Sequence, residues 1–399
     1  MSVAADVKGW CPGIVRPMPS GDGLIVRVRP RCGAFPLATA GTLADLAEQL
    51  GNGHIDLTRR ANLQLRGLTE DRLPELQEAL ANLGLIDADA KTEAVRNVMV
   101  APLAGLDPDQ PFDVRPIAAA IEHGLTTDAR LLALPAKFGF IVDGGGPASI
   151  AAERADISLA AVGNVIAFGL DMQWLGTVAP ERAAGLAIAA AHVFLRVTAQ
   201  GRMRDLSAND FAAVRAAVAP HLSPIDRLPS PGKRRLGLLR TVVGVAAPLG
   251  RLQAGQLRCL IALAAEAGAV DLRLSPWRTL YISARDGRLL LDGVRKVGLI
   301  VDEGDPLLQI EACPGAPDCE ASSVDTRGDA RRLAAIARAH AFEGSLHVSG
   351  CDKGCARSLP SDLVLVGQDG RYRLVRNGTP RSPAECMIAA DDFETLFHD

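Results

Sequence analysis

Long apolar runs are absent from this chain of 399 residues. The longest nearly apolar stretch, residues 183–195, is interrupted by His192 and is too short to span a bilayer. Residues 1–13 contain no basic region followed by an apolar one, so we expect no secretory signal. The net charge of −3 argues against non-specific nucleic-acid binding as the main function. Together these absences predict a soluble, cytoplasmic protein.

Nucleotide-binding fingerprints are also missing. The chain has no G-x-G-x-x-G motif and no flavin fingerprint, and the D-G-G-G run at 143–146 indicates only a turn. The length allows two or three domains, and 48% hydrophobic residues is ordinary for packed cores. Eight cysteines without a secretory signal fit a reducing compartment in which thiolates hold metal.

Four of the cysteines form two short clusters. Cys313 and Cys319 have the spacing C-x5-C, and Cys351 and Cys355 have the spacing C-x3-C, with Gly or Pro inside each loop. Two such loops can supply the four thiolates of a 4Fe-4S cluster. Structural zinc is a weaker alternative because its spacers are usually two to four residues long. A set of disulfides is weaker still.

An internal repeat organises much of the chain. The segment HIDLTRRANLQLRG (54–67) aligns without gaps with DLRLSPWRTLYISA (271–284), and each alternates apolar and polar residues as two short strands around a turn. The order of a strand, a helix and a pair of strands occurs twice. This pattern predicts a duplicated unit that buries one face against its copy. Chance similarity of two amphipathic segments is the alternative. The expected helices are 43–50 and 257–267, and the expected preceding strands are 24–28 and 236–245.

Other segments are expected between and after the two copies. A strand is predicted at 137–142 and a helix at 181–195, whereas LPSPGKRRLG (228–237) is typical of a linker. A later helix is predicted over 329–341, beginning at the cap-like pair Gly328–Asp329.

Both cysteine segments, EACPGAPDCEASS (311–323) and HVSGCDKGCARS (347–358), resemble the cluster-binding signature of the sulfite and nitrite reductase superfamily. That superfamily places a 4Fe-4S cluster against a tetrapyrrole. The resemblance implies an α+β fold of the sulfite/nitrite reductase type, in which duplicated ferredoxin-like halves pair into one domain beside two further α/β domains. The implied domains are two ferredoxin-like halves at 12–80 and 235–305, a tetrapyrrole-binding domain at 85–225 and a cluster-binding domain at 306–399.

Three basic motifs occur in the same order as in that superfamily. They are TRR–Q, RNV and LPxKF, and in the relatives they surround the siroheme or its anionic ligand. The resemblance implies that Arg60, Arg96 and Lys137 bind a tetrapyrrole. Gln64 and Arg66 match the QxR/H pattern that follows the first motif in the relatives. A tetrapyrrole of this type carries up to eight carboxylates, which need paired cations when buried. An isolated arginine would more often lie in solvent.

One departure separates the branches of the superfamily. The reductases generally have KFK, whereas this chain has Lys137-Phe138-Gly139 and lacks the second ammonium that helps to hold a small oxyanion. With the opening CPGIVRPMPSGDGLIVRVRPRCG (11–33) and the form HVSGCDKGCA, the chain most resembles the precorrin-3B synthase family, the monooxygenases of aerobic cobalamin biosynthesis.

That resemblance implies a substrate, a reaction and cofactors. Precorrin-3A would be oxidised with dioxygen by hydroxylation of a meso carbon and lactone formation. Cys355 would ligate only the 4Fe-4S cluster, without a bridge to an iron in the macrocycle. An additional non-haem iron is implied, although its ligands cannot be identified. An external NADH-linked protein would donate electrons. No catalytic residue can be named. Two alternatives remain: a siroheme-dependent sulfite or nitrite reductase, disfavoured by Gly139, and a non-enzymatic iron–sulfur electron-transfer or tetrapyrrole-carrier protein.

Overall fold

A computed structural model describes residues 11–198 and 200–397. These residues form two compact units. The large unit contains residues 11–18 and 25–301, and the cysteine unit contains residues 19–24 and 302–397. Within the described ranges, no helix is both long enough and apolar enough to cross a membrane. Residues 1–10, where we expect no secretory signal, lie outside the described part of the chain.

The elements follow in chain order. The first copy of the repeat contains β1 (Met18–Ser20), β2 (Gly23–Val28), β3 (Ala34–Pro36), α1 (Leu37–Gln49), β4 (His54–Leu57), β5 (Leu63–Leu68) and α2 (Leu73–Asn82). The central segment contains α3 (Ala90–Val95), β6 (Val98–Val100), α4 (Arg115–Thr127), β7 (Phe140–Asp143), β8 (Ile157–Val162), β9 (Val165–Leu170), β10 (Gln173–Val178), α5 (Pro180–Val197) and α6 (Ala208–Val218).

The second copy and the cysteine unit follow. The second copy contains β11 (Gly237–Leu239), β12 (Val242–Ala246), β13 (Arg251–Gln253), α7 (Ala254–Glu266), β14 (Asp271–Leu274), β15 (Thr279–Ser283) and α8 (Gly287–Lys296). The later chain contains β16 (Ile310–Ala312), α9 (Thr326–Ala339), β17 (Leu346–Ser349), β18 (Ser361–Gln368), β19 (Arg371–Gly378) and β20 (Cys386–Ile388).

Three elements of the first copy have the same lengths and spacing as their counterparts in the second copy. Strand β3, helix α1 and strand β4 recur as β13, α7 and β14 with one common shift of 217 residues, for example from 37 to 254. The copies also exchange an edge strand. The sheet orders are β1-β2-β5-β4-β13 and β11-β12-β15-β14-β3, so each copy supplies one strand to the sheet of the other. The duplication predicted from the sequence is therefore confirmed, and α1 packs against α7 between the sheets.

Several predicted elements differ from the structure. Helices α1 and α7 begin at Leu37 and Ala254, before the expected starts at 43 and 257, because each follows directly on the short strand that precedes it. The single strand expected at 236–245 is a hairpin of β11 and β12, because the chain turns at Arg240, whose φ is 56°. The strand expected at 137–142 begins only at Phe140, which leaves Lys137 and Gly139 in a loop. Helix α9 begins at Thr326 rather than near 329, because the side chain of Asp325 accepts a hydrogen bond from Gly328 N and caps the helix there.

The central segment has its own sheet and core. Its strands have the order β10-β9-β8-β7-β6, with β6, β7 and β8 parallel and the remainder antiparallel. The phenyl ring of Phe138 lies 4.7 Å from that of Phe194 and 5.5 Å from that of Phe140, measured between ring centroids. All three side chains are buried. Their burial fixes the chain on both sides of Gly139.

The sheet of the cysteine unit has the order β16-β17-β18-β19-β20. Strands β16, β17 and β18 run parallel, and β18, β19 and β20 form antiparallel pairs. Helix α9 connects β16 to β17, as a parallel pair requires. The loops that follow β16 and β17 therefore emerge at the same edge of the sheet.

Candidate functional site

The four clustered cysteines lie at that sheet edge. Cys313 directly follows β16, and Cys351 follows β17 after one intervening residue. Because Ala312 is paired with Val348 in the parallel register, the two loops begin side by side. The topology therefore places each pair of cysteines in one of two neighbouring loops, as the spacing predicts.

Cys313 is the most enclosed of the four residues. Its side chain is buried, and its sulfur accepts a hydrogen bond from Gly350 N at 3.1 Å. Its carbonyl accepts a hydrogen bond from the hydroxyl of Thr326 at 2.6 Å, at the start of α9. An N–H group directed at a sulfur stabilises a thiolate. Cys313 is therefore held in one position by the second cysteine loop and by the helix.

The four sulfurs influence one another electrostatically. The Cys355 residue is exposed, yet the protein around its sulfur raises the pKa of the thiol to about 11. Burial is the largest cause, and negative charge on Cys313, Cys351 and Cys319 adds to it, whereas Lys353 opposes it. Four thiolates gathered in this way repel one another unless a cation joins them. All eight cysteines are described, and none forms a disulfide. The donor set thus fits an iron–sulfur cluster.

A short hairpin tip packs against the first cysteine loop within the cysteine unit. The hydroxyl of Ser20 donates a hydrogen bond to the carbonyl of Asp318 at 3.1 Å. A Cβ atom on Gly21 would lie 2.8 Å from Glu320 N and 3.0 Å from Cys319 N. Only glycine permits this approach without a shift of the backbone that carries Cys319.

The first basic motif forms a tight turn between β4 and β5 in the large unit. The hydroxyl of Thr58 accepts hydrogen bonds from Arg60 N at 3.3 Å and Asn62 N at 3.1 Å, and Ala61 has a φ of 53°. Thr58 therefore closes the turn and places Arg60 at its tip, because a hydroxyl can satisfy the amides that a turn leaves unpaired.

Two of the predicted binding residues meet at this turn. Arg60 is half-buried, and its Nη2 atom donates to the carbonyl of Lys137 at 3.5 Å. Burial lowers the pKa of Arg60, and negative charge on Cys11 opposes this effect, whereas the nearby Arg27 adds to it. The side chain of Lys137 is exposed and makes no hydrogen bond or ion pair with a described residue. Arg60 therefore contacts the backbone of Lys137, whose own ammonium is exposed.

Gln64 and Arg66 point into different surroundings. The carbonyl of the Gln64 side chain accepts a hydrogen bond from Arg27 Nη2 at 3.1 Å. Arg66 is buried, and its Nη1 atom lies 3.5 Å from the Oδ2 atom of Asp56. The other carboxylate oxygen of Asp56 lies 2.7 Å from Arg251 Nε. Gln64 thus belongs with the arginines near Cys11, and Arg66 has an aspartate partner within the fold.

Arg96 also has partners within the fold. Its Nε atom lies 3.0 Å from a carboxylate oxygen of Asp87, and its Nη1 atom donates to the carbonyl of Pro30 at 3.2 Å. The side chain is almost wholly buried. Of the five basic and polar residues inferred from the resemblance, Arg60 contacts the backbone of Lys137, whereas Arg66 and Arg96 each bind an aspartate.

The position of the missing second lysine is open. Gly139 has an ordinary φ, and a Cβ atom there would meet only Asn97 O at 3.6 Å and Lys137 O at 3.9 Å, which are van der Waals distances. Its amide donates to a carboxylate oxygen of Asp156 at 2.8 Å. Nothing in the described chain therefore prevents a side chain at this position.

A small cavity lies in the large unit, with Ala136 and Arg29 among its lining residues. It has a volume of about 230 Å³ and is lined by residues 11–16, by α3 and by residues 132–136. Arg29 Nη1 and a Glu93 carboxylate oxygen, 2.9 Å apart, belong to its wall. This volume is below the range of pockets that enclose a whole drug-sized ligand.

Sequence reasoning missed Arg27 and Arg29. The signal was present in LIVRVRPR, because two arginines at alternate positions of an apolar strand lie on the same face. Cys11 belongs to neither cysteine cluster, yet it lies within electrostatic reach of Arg27, Arg29 and Arg60.

Comparison with known proteins agrees with this architecture. A family model described as the nitrite/sulfite reductase ferredoxin-like half domain matches residues 16–83, and one described as the nitrite and sulphite reductase 4Fe-4S domain matches residues 91–191. The second match includes Arg96 and Lys137, whereas the four clustered cysteines lie beyond it.

Full-length relatives extend the likeness over most of the chain. A precorrin-3B synthase from Sinorhizobium sp is 34% identical, over 94% of this chain and 84% of the relative. A ferredoxin–nitrite reductase from Synechococcus elongatus is 26% identical, over 90% of this chain and 78% of the relative. Among solved structures, the NirA protein of Mycobacterium tuberculosis has a TM-score of 0.72 at 21% identity, covering 93% of this chain and 79% of that one.

Proposed function

The chain belongs to the nitrite and sulfite reductase superfamily and, within it, to the precorrin-3B synthase family, and we propose that it oxidises precorrin-3A with dioxygen. The reaction hydroxylates a meso carbon of the macrocycle and is followed by lactone formation. We place it in the cytoplasm, in aerobic cobalamin biosynthesis. The identity of 34% over 84% of a precorrin-3B synthase exceeds the 26% shared with a nitrite reductase and supports this choice.

The observation that favours a tetrapyrrole substrate over a small oxyanion is the environment of Gly139. The Cβ position is open, yet no ammonium occupies it, and the nearest charged group is the carboxylate of Asp156. A site for sulfite or nitrite needs converging positive charge at the bound anion. One exposed lysine, Lys137, is better suited to a carboxylate at the rim of a macrocycle.

We propose that Arg60, Lys137 and Gln64 contact the macrocycle directly. Arg60 can bind a carboxylate through two parallel N–H groups, and Lys137 can bind a second one as a point charge. Gln64, held by Arg27, can donate its amide hydrogens to a third polar group. Arg66 and Arg96 contribute by fixing the strand and the RNV segment through Asp56 and Asp87.

The cysteine unit is proposed to hold the redox centre. Cys313, Cys319, Cys351 and Cys355 would ligate a 4Fe-4S cluster, which supplies one-electron transfer when bound. The electrons would come from an external NADH-linked donor protein. A mononuclear non-haem iron belongs to the proposal as a cofactor, with no ligand assigned to it. In the chain itself, Gly350 N donates a hydrogen bond to the Cys313 sulfur, and the Thr326 hydroxyl donates one to the Cys313 carbonyl.

The decisive experiment supplies the anaerobically purified protein with precorrin-3A, a reductant and isotopically labelled dioxygen. We expect a product that has gained one labelled oxygen atom, identified by mass spectrometry. Protein treated to remove iron is the control and should give no product. Binding of precorrin-3A without turnover under any reductant would instead favour a tetrapyrrole carrier.

The reductase alternative is separated by the visible spectrum of the purified protein. An iron–sulfur cluster alone gives a broad shoulder in the blue, whereas siroheme adds a sharp band in the red. A red band together with reduction of sulfite or nitrite would contradict the proposed function.

A further inference from the structure

The loop that carries Lys137 is held unusually firmly for a segment with an exposed charged side chain. We call residues 134–139 the lysine loop. Phe138 anchors it in the core between Phe140 and Phe194, and its amide donates to the carbonyl of Pro135 at 2.8 Å. Lys137 itself is exposed, so its neighbours are fixed while its ammonium remains available.

One side of the lysine loop is held by Asn97, which follows Arg96 in the RNV motif. Its side-chain nitrogen lies 3.1 Å from the carbonyl of Ala136 and 3.2 Å from that of Phe138, the residues on either side of Lys137. A third carbonyl, that of Ala94, lies at 2.7 Å. Only a donor without a competing lone pair suits a position among three carbonyl oxygens. This contact gives a physical reason for RNV and LPxKF to occur together.

The other side is held by Asp156, at the start of β8. Gly139 N donates to its carboxylate at 2.8 Å, and Asp156 N donates in return to the carbonyl of Gly139 at 2.9 Å. The carboxylate also accepts hydrogen bonds from Arg202 Nε at 2.7 Å and Met203 N at 2.8 Å. Asp156 is 1% exposed, and these donors make the burial of its charge tolerable.

We infer that Asn97 and Asp156 are positioning residues, which fix the lysine loop from both sides so that the Lys137 ammonium meets a carboxylate of the tetrapyrrole. This inference rests on the proposed function, because it takes Lys137 as a binding residue. Neither residue touches the substrate. Each acts through the backbone on either side of Lys137, and pre-positioning of this kind lowers the entropy lost on binding.

The first test is a double-mutant cycle on affinity for precorrin-3A, titrated without oxygen and followed by absorbance. Asn97→Ala and Asp156→Asn should each weaken binding by about tenfold, since each breaks hydrogen bonds to the lysine loop. In a Lys137→Met background the same changes should weaken binding less than about twofold, because the group they position is gone. Equal losses in both backgrounds would overturn the inference.

A matched control is Asp143→Asn. Asp143 is also a buried carboxylate of the central segment, but it accepts hydrogen bonds from Ser149 Oγ at 2.7 Å and Ile150 N at 3.1 Å, away from the lysine loop. We expect a lower melting temperature without a change in affinity. If Asp143→Asn weakens binding as much as Asp156→Asn, general loss of stability explains the effect and the inference fails.

Hydrogen exchange of the unliganded protein gives a readout that needs no substrate. The amide of Gly139 should exchange at least about tenfold faster in Asn97→Ala and Asp156→Asn, and at the parent rate in Asp143→Asn. If the parent binds no precorrin-3A, the proposed function fails, and exchange alone decides whether the loop is held as described. Unchanged exchange in both variants would overturn the inference whether or not precorrin-3A binds.

Discussion

The two ferredoxin-like halves share one backbone plan and differ in their chemistry. Ala61 and Arg278 occupy the same place in the turn of each copy, with φ angles of 53° and 56°. Gly33 and Gly250 both have a φ of 75° and precede the exchanged strands β3 and β13. These two pairs of left-handed positions have therefore stayed in register, although the residues in the turn differ.

The side chains on the equivalent strand pairs have diverged. Where the first copy has Arg60 and Gln64, the second has Trp277 and Tyr281. Trp277 donates its indole N–H to Glu153 at 3.1 Å, and Tyr281 is fully buried. The first copy thus carries the polar groups that we propose to bind the macrocycle, and the second uses aromatic groups for packing. The shared backbone therefore tolerates different side chains at these two positions.

The largest loss of activity should follow substitution of the four clustered cysteines, which lie outside both ferredoxin-like halves. Cys313→Ser, Cys319→Ser, Cys351→Ser and Cys355→Ser should each abolish the cluster and the activity, because four thiolates leave no spare ligand. Each should weaken precorrin-3A binding less than Arg60→Ala does, if binding belongs to the first copy. Iron and sulfide analysis provides the measurement. Roughly four irons per chain in any two variants would show that the cluster is held elsewhere.

The next largest effect concerns the pair Arg60 and Trp277. Arg60→Ala should weaken tetrapyrrole binding by about one to two powers of ten, since a charge-assisted hydrogen bond contributes about 1.5–3 kcal/mol. Arg60→Lys should recover part of this affinity. Trp277→Ala should lower stability and leave affinity nearly unchanged, and Arg338→Ala, at an exposed position of α9, should be silent. Equal losses of affinity for Arg60→Ala and Trp277→Ala would remove the distinction between the copies.

A smaller effect tests what the copies share. Gly33→Ala and Gly250→Ala should each lower the free energy of unfolding by about 1–3 kcal/mol, because alanine is strained at a positive φ. A Cβ at Gly33 would also lie 3.0 Å from Val100 Cβ, and one at Gly250 would collide with the Arg278 side chain. Denaturant titration measures both changes. A cost at one position alone would mean that the two strand exchanges are not equivalent.

The smallest effect concerns Gly139, in the central segment, where the reductases generally have a second lysine. Gly139→Lys should fold normally, because the Cβ site is open, and should slow precorrin-3A turnover several-fold by adding a side chain near Lys137. It should not produce sulfite reduction, since it supplies no siroheme. Steady-state kinetics with precorrin-3A gives the answer. Unchanged kinetics would place Gly139 away from the substrate.

Much of the fold could be predicted because it depends on local patterns. Alternation and turn residues indicated β4–β5 and β14–β15, and the repeat followed from their similarity. The exchange of β3 and β13 could not be predicted, because two three-residue edge strands carry little pattern of their own. The hairpin of β11 and β12 was missed because Arg240 makes a left-handed turn within an apolar run.

The candidate site was predicted unevenly for a related reason. The cysteines are fixed by spacing within two loops, so a motif describes them almost completely. The basic residues depend on distant partners. Nothing in the spacing of Arg66 or Arg96 reveals that Asp56 and Asp87 pair with them, and the two contacts on the lysine loop come from Asn97 and Asp156. Charge alone did not separate the arginines that support the fold from those available to a ligand.

The hairpin tip around Gly21 has a consequence for how the protein is made. The cysteine unit combines residues 19–24 with residues 302–397, so its first part leaves the ribosome long before its second. At about 5–20 residues per second, on the order of 300 residues separate the two by about 15–60 s. The hairpin tip therefore waits through this interval for the loop of Cys319 that it packs against. Because all four clustered cysteines lie in the later part, iron and sulfide delivered to the nascent chain before then would find no binding loop, and cluster insertion should follow synthesis.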